Sequence, residues 1–134
     1  MNEVIKAMLE RRSIRKFKKE LPKREDIETI LETGLYAANG KGRQATLTVA
    51  ITNPVLRARL VEANRKIGGW AEGFDPFYGN RAREEFEQPE FIALLKELGV
   101  AGEWIGIGHC AVGYIEGELP KAAPRKPGRV LWVE

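Results

Sequence analysis

The chain has 134 residues, 43% of them hydrophobic and 31% charged, the proportions of one ordinary globular domain with its own core. A net charge of +3 is too modest to argue for nucleic acid, and no apolar run reaches the length that spans a bilayer. The single cysteine, Cys110, excludes an internal disulfide and fits a reducing cytoplasm; with His109 alone beside it, the partners of a metal site are missing.

Val4, Ile5, Met8 and Leu9 recur at helical spacing, which predicts a helix over 2–11 with one apolar face. Ser13 to Leu21 has no clean period and ends at Pro22, so it reads as an extended connector. Ile27, Ile30, Leu31 and Leu35 form the stripe of a second helix over 24–38, with Glu25 and Asp26 at its positive end. Asn39 to Gln44 contains two glycines and an asparagine, which stop that helix. Residues 46–51 are apolar and β-branched and predict a strand.

Asn53-Pro54 is a helix start, with an N-cap side chain and proline at the first position. It predicts a helix over 54–67, stopped by Gly68-Gly69. Residues 70–79 are a loop rich in aromatics, and 81–87 are highly charged. Phe91, Leu94, Leu95 and Leu98 predict a helix over 89–98 that ends at Gly99. The apolar, glycine-interrupted run 105–115 predicts a closely packed strand. A basic, proline-rich connector then leads to a short strand over 129–133.

Three clusters carry chemistry. Arg11-Arg12-Ser13-Ile14-Arg15 places three guanidinium groups and a hydroxyl where the first helix ends. A guanidinium is a planar fork of donors that matches phosphate oxygens, and a serine hydroxyl adds another donor. The same cations also suit the negative end of a helix dipole, so a solvated helix end is the alternative. The loop Asn39 to Gln44 offers amides that fit the edge of a planar heterocycle, or it is simply a helix-to-strand turn. Arg125-Lys126, between Pro124 and Pro127, is either a pair of cations held ready for an anion or a solvated linker. His109 reads as a core or interface histidine. No GxSxG, HExxH or GxxxxGK[ST] pattern occurs, so an enzyme built on this chain needs a cofactor for the hard chemistry.

In order, these segments resemble the FMN-dependent nitroreductase family. The resemblance runs from Glu10-Arg11-Arg12-Ser13-Ile14-Arg15-Lys16-Phe17 through Tyr36-Ala37-Ala38-Asn39-Gly40-Lys41-Gly42-Arg43-Gln44 to Asp75-Pro76-Phe77-Tyr78-Gly79. It resumes over 89–99, at Gly113-Tyr114 and at Pro124-Arg125-Lys126-Pro127. It implies a single α+β domain over 1–134, with helices around a small, mostly antiparallel sheet. It implies that Arg11, Arg12, Ser13 and Arg15 hold the FMN phosphate and ribityl chain. Asn39 and Gln44 would lie near the isoalloxazine ring, Arg43 would also bind the cofactor, and Arg125 and Lys126 would close over the phosphate. The implied activity moves electrons from NAD(P)H through FMN to nitroaromatics, quinones or similar acceptors. The implied protein is a cytoplasmic homodimer that binds neither nucleic acid nor membrane.

The resemblance breaks at one place. Gly79 is followed at once by Asn80-Arg81-Ala82-Arg83-Glu84, which resembles the segment that in the family follows a further strand and a long helix. On this reading a strand–helix block is missing, and the fold is shortened in the middle. Two rival functions remain: a non-catalytic phosphate- or nucleotide-binding remnant that has lost the ring site, and an RNA-binding protein using the basic runs with Trp and Phe.

Overall fold

In the computed structural model, which describes residues 1–69 and 80–133, the described residues form five α-helices joined by extended segments. The chain divides into two compact units, one of Met1–Pro22 with Gly113–Glu134, the other of Lys23–Val112.

The first unit begins with α1, Glu3–Glu10. Asn2 caps it: its side-chain oxygen accepts from the Ile5 amide at 2.9 Å, satisfying one of the orphan donors of a helix start. Glu3 in the first turn suits the dipole. The helix stops at Arg11, whose backbone turns out of helical conformation. Beyond it the chain is extended. Phe17 and Ile115 form an antiparallel bridge, in which Lys18 N donates to Tyr114 O at 2.9 Å and Glu116 N to Lys16 O at 3.2 Å. Gly113 belongs to this junction for a steric reason. A Cβ there would come within 2.9 Å of the Phe17 ring, so the missing side chain lets the aromatic lie on the backbone.

The second unit holds α2 (Arg24–Leu35), a 3₁₀ turn (Gly40–Gly42), α3 (Pro54–Gly68), α4 (Asn80–Phe86) and α5 (Pro89–Glu97). Asn53 caps α3 by accepting from the amides of Val55 and Leu56 at 2.9 and 3.1 Å, with Pro54 behind it where no amide is needed. Gly69 ends α3 with φ at 73°, the left-handed cap that glycine adopts at least cost. Ala63, Phe91 and Leu94 are buried, and Leu56, Leu60, Ile67, Phe86 and Leu98 pack around them. The contact between α3 and α5 is flanked by two ion pairs. Nη1 of Arg59 donates to both oxygens of Glu97 at 3.0 and 2.9 Å, and Lys66 meets Glu90 at 2.5 Å.

The predicted helices are present with small changes of boundary, and α4 is an addition: the charged run 81–87 is mostly helical. The predicted strands are not formed as strands. Among the described residues, 46–51, 105–115 and 129–133 carry no ladder, and the Phe17–Ile115 bridge is the sole β pairing. β-branched composition favours extended backbone, but a strand also needs a neighbour for its amides and carbonyls. Apart from the bridge at Ile115, these runs have the composition without a paired neighbour among the described residues. Val130, Leu131, Trp132 and Val133 are all exposed. The aromatic stretch 70–79, including the Gly79 side of the junction with Asn80, lies outside the described residues.

Candidate functional site

The basic cluster lies in the first unit and its members differ in what their side chains do. Arg11, Ser13 and Arg15 are exposed, whereas Arg12 is half-buried. Arg12 is engaged with backbone: Nη1 donates to the carbonyls of Leu9 and Arg11 at 2.9 and 2.8 Å, and Nε to that of Pro120 at 3.1 Å. Two of these acceptors belong to the end of α1, where carbonyls lack partners within the helix. Arg12 therefore closes α1 in place of a glycine cap. Arg15 and Lys16 line a shallow depression of about 230 Å³ with Ile14, Ile115, Glu116, Glu118 and Pro120. Its rim carries both signs of charge, with Arg15 and Lys16 sharing it with Glu116 and Glu118. Arg125 and Lys126 are exposed in the same unit.

Asn39, Arg43 and Gln44 lie in the second unit. Their loop is built around strained backbone. Lys41 and Gln44 have φ of 58° and 46°, in the left-handed region that side chains disfavour. The Asn39 side chain holds the loop closed, its oxygen accepting from the Gln44 amide at 3.1 Å. So Asn39 braces the turn, while the side chains of Arg43 and Gln44 face solvent. Exposed amide and guanidinium groups on a closed loop supply the donors and acceptors that a heterocycle edge requires.

Sequence reasoning missed one constellation. Asn64 on α3 and Glu85 on α4 are both fully buried, and Nδ2 of Asn64 donates to both carboxylate oxygens at 3.2 and 3.4 Å. His109 lies with Nε2 3.0 Å from Oε1 of Glu85. Its ring stacks on Phe86 at 5.1 Å between centroids and approaches Phe91 at 6.1 Å. His109 is thus a packed histidine of the second unit, as its apolar surroundings in sequence suggest. The buried Asn64 gave no signal of its own, because it sits among polar neighbours on α3. Elsewhere in this unit the hydrogen bond to Glu90, with that carboxylate's charge, raises the Lys66 pKa above its ordinary 10.5. Among the described residues no group of His, Cys, Asp and Glu is arranged to hold a metal ion, and no helix is long and apolar enough to cross a membrane.

Comparison with known proteins bears on the same segments. The model of the nitroreductase family matches residues 8–69, a stretch that contains the basic cluster, α2, the Asn39–Gln44 loop and α3. A solved structure, a nitroreductase with bound FMN from Bacteroides fragilis, is similar with a TM-score of 0.80 and 23% identity, covering 100% of each chain. No curated protein matches the chain. The fold is that of a nitroreductase, and the resemblance read from the motifs holds over the matched segment.

Proposed function

We propose that the chain is an FMN-dependent oxidoreductase of the nitroreductase type, a single domain over 1–134 that uses NAD(P)H and reduces nitroaromatics, quinones or similar acceptors. One observation carries this reading. Arg11, Ser13 and Arg15 stand exposed directly after α1, inside the segment that matches the family, while the neighbouring Arg12 is turned to backbone. Three donors left to solvent, beside one used for structure, are what a phosphate monoester requires. FMN, when bound, supplies hydride and electron transfer. Arg11, Ser13 and Arg15 bind the phosphate, and Arg125 and Lys126 add charge to it. Arg43 and Gln44 are the proposed ring contacts, and Asn39 serves them by bracing their loop. The Bacteroides fragilis structure, a nitroreductase with FMN bound, supports the choice of cofactor.

The reading includes a homodimer in a reducing cytoplasm. Val4, Met8 and Leu9 of α1 and the run Val130 to Val133 are exposed, apolar surface that a stable monomer rarely leaves to water. Light scattering on the purified protein should give twice the chain mass; a stable monomer at micromolar concentration counts against the dimer. The cofactor is tested directly. Purified protein should be yellow, or should take up added FMN stoichiometrically, and the loaded protein should oxidise NADH or NADPH in the presence of a quinone. Colourless protein that leaves added FMN free overturns the enzyme reading.

A further inference from the structure

The side chain of Arg12 joins two distant parts of the first unit. Its Nη1 holds the last carbonyls of α1, and its Nε holds the carbonyl of Pro120, 108 residues along the chain. From Pro120 the chain runs Lys121-Ala122-Ala123-Pro124 to Arg125-Lys126 and then Pro127. Pro124 and Pro127 fix their own φ and restrict Ala123 and Lys126 before them, so anchoring the connector at Pro120 narrows the space that the two cations explore. Without it, the tail's next hydrogen-bonded tether among the described residues is the Glu116 amide, which donates to the Lys16 carbonyl. Beyond that point the tail is exposed.

We propose that Arg12 is a positioning residue: it restrains the connector that carries Arg125 and Lys126, and so readies those cations for the phosphate. The proposal rests on the flavin reading for the identity of that phosphate, and on the geometry above for the restraint. Arg12 differs from Arg11 and Arg15 in kind. Those are exposed forks available to a ligand, whereas three of the five donors of Arg12 are already given to carbonyls. A lysine at 12 keeps the charge but lacks the planar fork that reaches carbonyls in two directions at once. Ordering the tail beforehand removes an entropic cost that each binding event would otherwise meet.

The test has two arms, both on the full chain. In the first, trypsin cleavage after Lys121 is followed by mass spectrometry in the parent and in Arg12→Ala, Arg12→Lys and Arg11→Ala. Cleavage requires the connector to leave its tethered conformation. Arg12→Ala and Arg12→Lys should both cut at least about fivefold faster than the parent, and Arg11→Ala, with the same charge loss as Arg12→Ala, at the parental rate. Equal rates in all four, or parental behaviour of Arg12→Lys, overturn the restraint. In the second arm FMN affinity is measured for Arg12→Ala in the parent and in an Arg125→Ala/Lys126→Ala background. Arg12→Ala should weaken binding about tenfold in the parent and less than about twofold once the tail cations are gone. Equal losses in both backgrounds mean that Arg12 touches the ligand or supports the fold generally, and overturn the positioning role. A parent that takes up no FMN overturns the flavin reading, and the cleavage arm alone then decides whether Arg12 restrains the tail.

Discussion

Nε2 of His109 lies 3.0 Å from Oε1 of Glu85, a residue with no exposure to solvent. Asn64 donates to both oxygens of the same carboxylate. Together they tie α3, α4 and the extended run before Gly113 to one buried acceptor. A buried carboxylate stripped of a donor keeps its desolvation cost. Asn64→Ala should therefore lower the unfolding free energy by about 1–3 kcal/mol. Asn64→Asp, which replaces the amide donor with a second carboxyl group beside the first, should also be destabilising. Urea titrations measure both losses. Parental stability in Asn64→Ala would show that the donor contributes nothing.

Gly106 lies under the Phe86 ring so closely that a Cβ would overlap the ring and the Phe86 Cβ alike. The ring also meets Phe91 at 5.3 Å and His109 at 5.1 Å, so it has little room to withdraw. Overpacking of this kind costs typically about 1–3 kcal/mol. Gly106→Ala should show that loss in thermal or urea unfolding, and Phe86→Ala in the same chain should recover part of it. Simple additivity of the two changes would mean that Gly106 does not serve the ring.

The Lys66–Glu90 pair bridges α3 and α5 at the surface. Its hydrogen bond and charge raise the lysine pKa above 10.5. A cation whose folded pKa is raised stabilises the fold fully below its unfolded pKa, and loses that contribution as pH rises through the folded value. Glu90→Gln should thus be slightly less stable than the parent at pH 8 and should converge with it above pH 10.5. Because the pair is exposed, the difference at pH 8 should also shrink in molar salt. A gap that persists unchanged at high salt would point to packing, not charge.

What could be read in the sequence follows from where the determinants are local. Asn53-Pro54 and Gly69 mark both ends of α3 because a cap is a matter of a few adjacent residues. Phe91 and Leu94 announce a buried face by spacing alone. The predicted strands did not form, since Thr46 to Ile51 and Val130 to Val133 show extended preference but pairing depends on a distant segment, and the described residues supply none. α4 was hidden under its charges, although Arg83 and Glu87, paired at 2.7 Å, have the four-residue spacing that supports a helix. In the candidate site, the residue types Arg, Ser and Arg pointed to phosphate, yet nothing in the run distinguishes Arg12 from its neighbours. That difference depends on the Pro120 carbonyl, which no local pattern reveals.

Arg15 provides the sharpest probe of the phosphate site. Its guanidinium is exposed, stands two residues beyond Ser13, and is one of the donors assigned to FMN. Lys18, three residues on, shares its charge but contributes its backbone amide to the bridge with Tyr114, which its side chain does not affect. A guanidinium with two aligned bonds to a phosphate gains about 1.5–3 kcal/mol per charged hydrogen bond, whereas an exposed lysine adds mostly screened attraction. Arg15→Ala should weaken FMN binding by at least about tenfold, and Lys18→Ala should change it little. Arg15→Lys keeps the charge and removes the fork, so it should fall near Arg15→Ala if the contact is bidentate and near the parent if the cluster is only a basic patch. All three variants should unfold like the parent, because the exposed side chains serve the ligand and not the core. Flavin fluorescence titrations in low salt give the affinities. Indistinguishable values for the parent, Arg15→Lys and Lys18→Ala would reduce Arg11 to Arg15 to a solvated helix end.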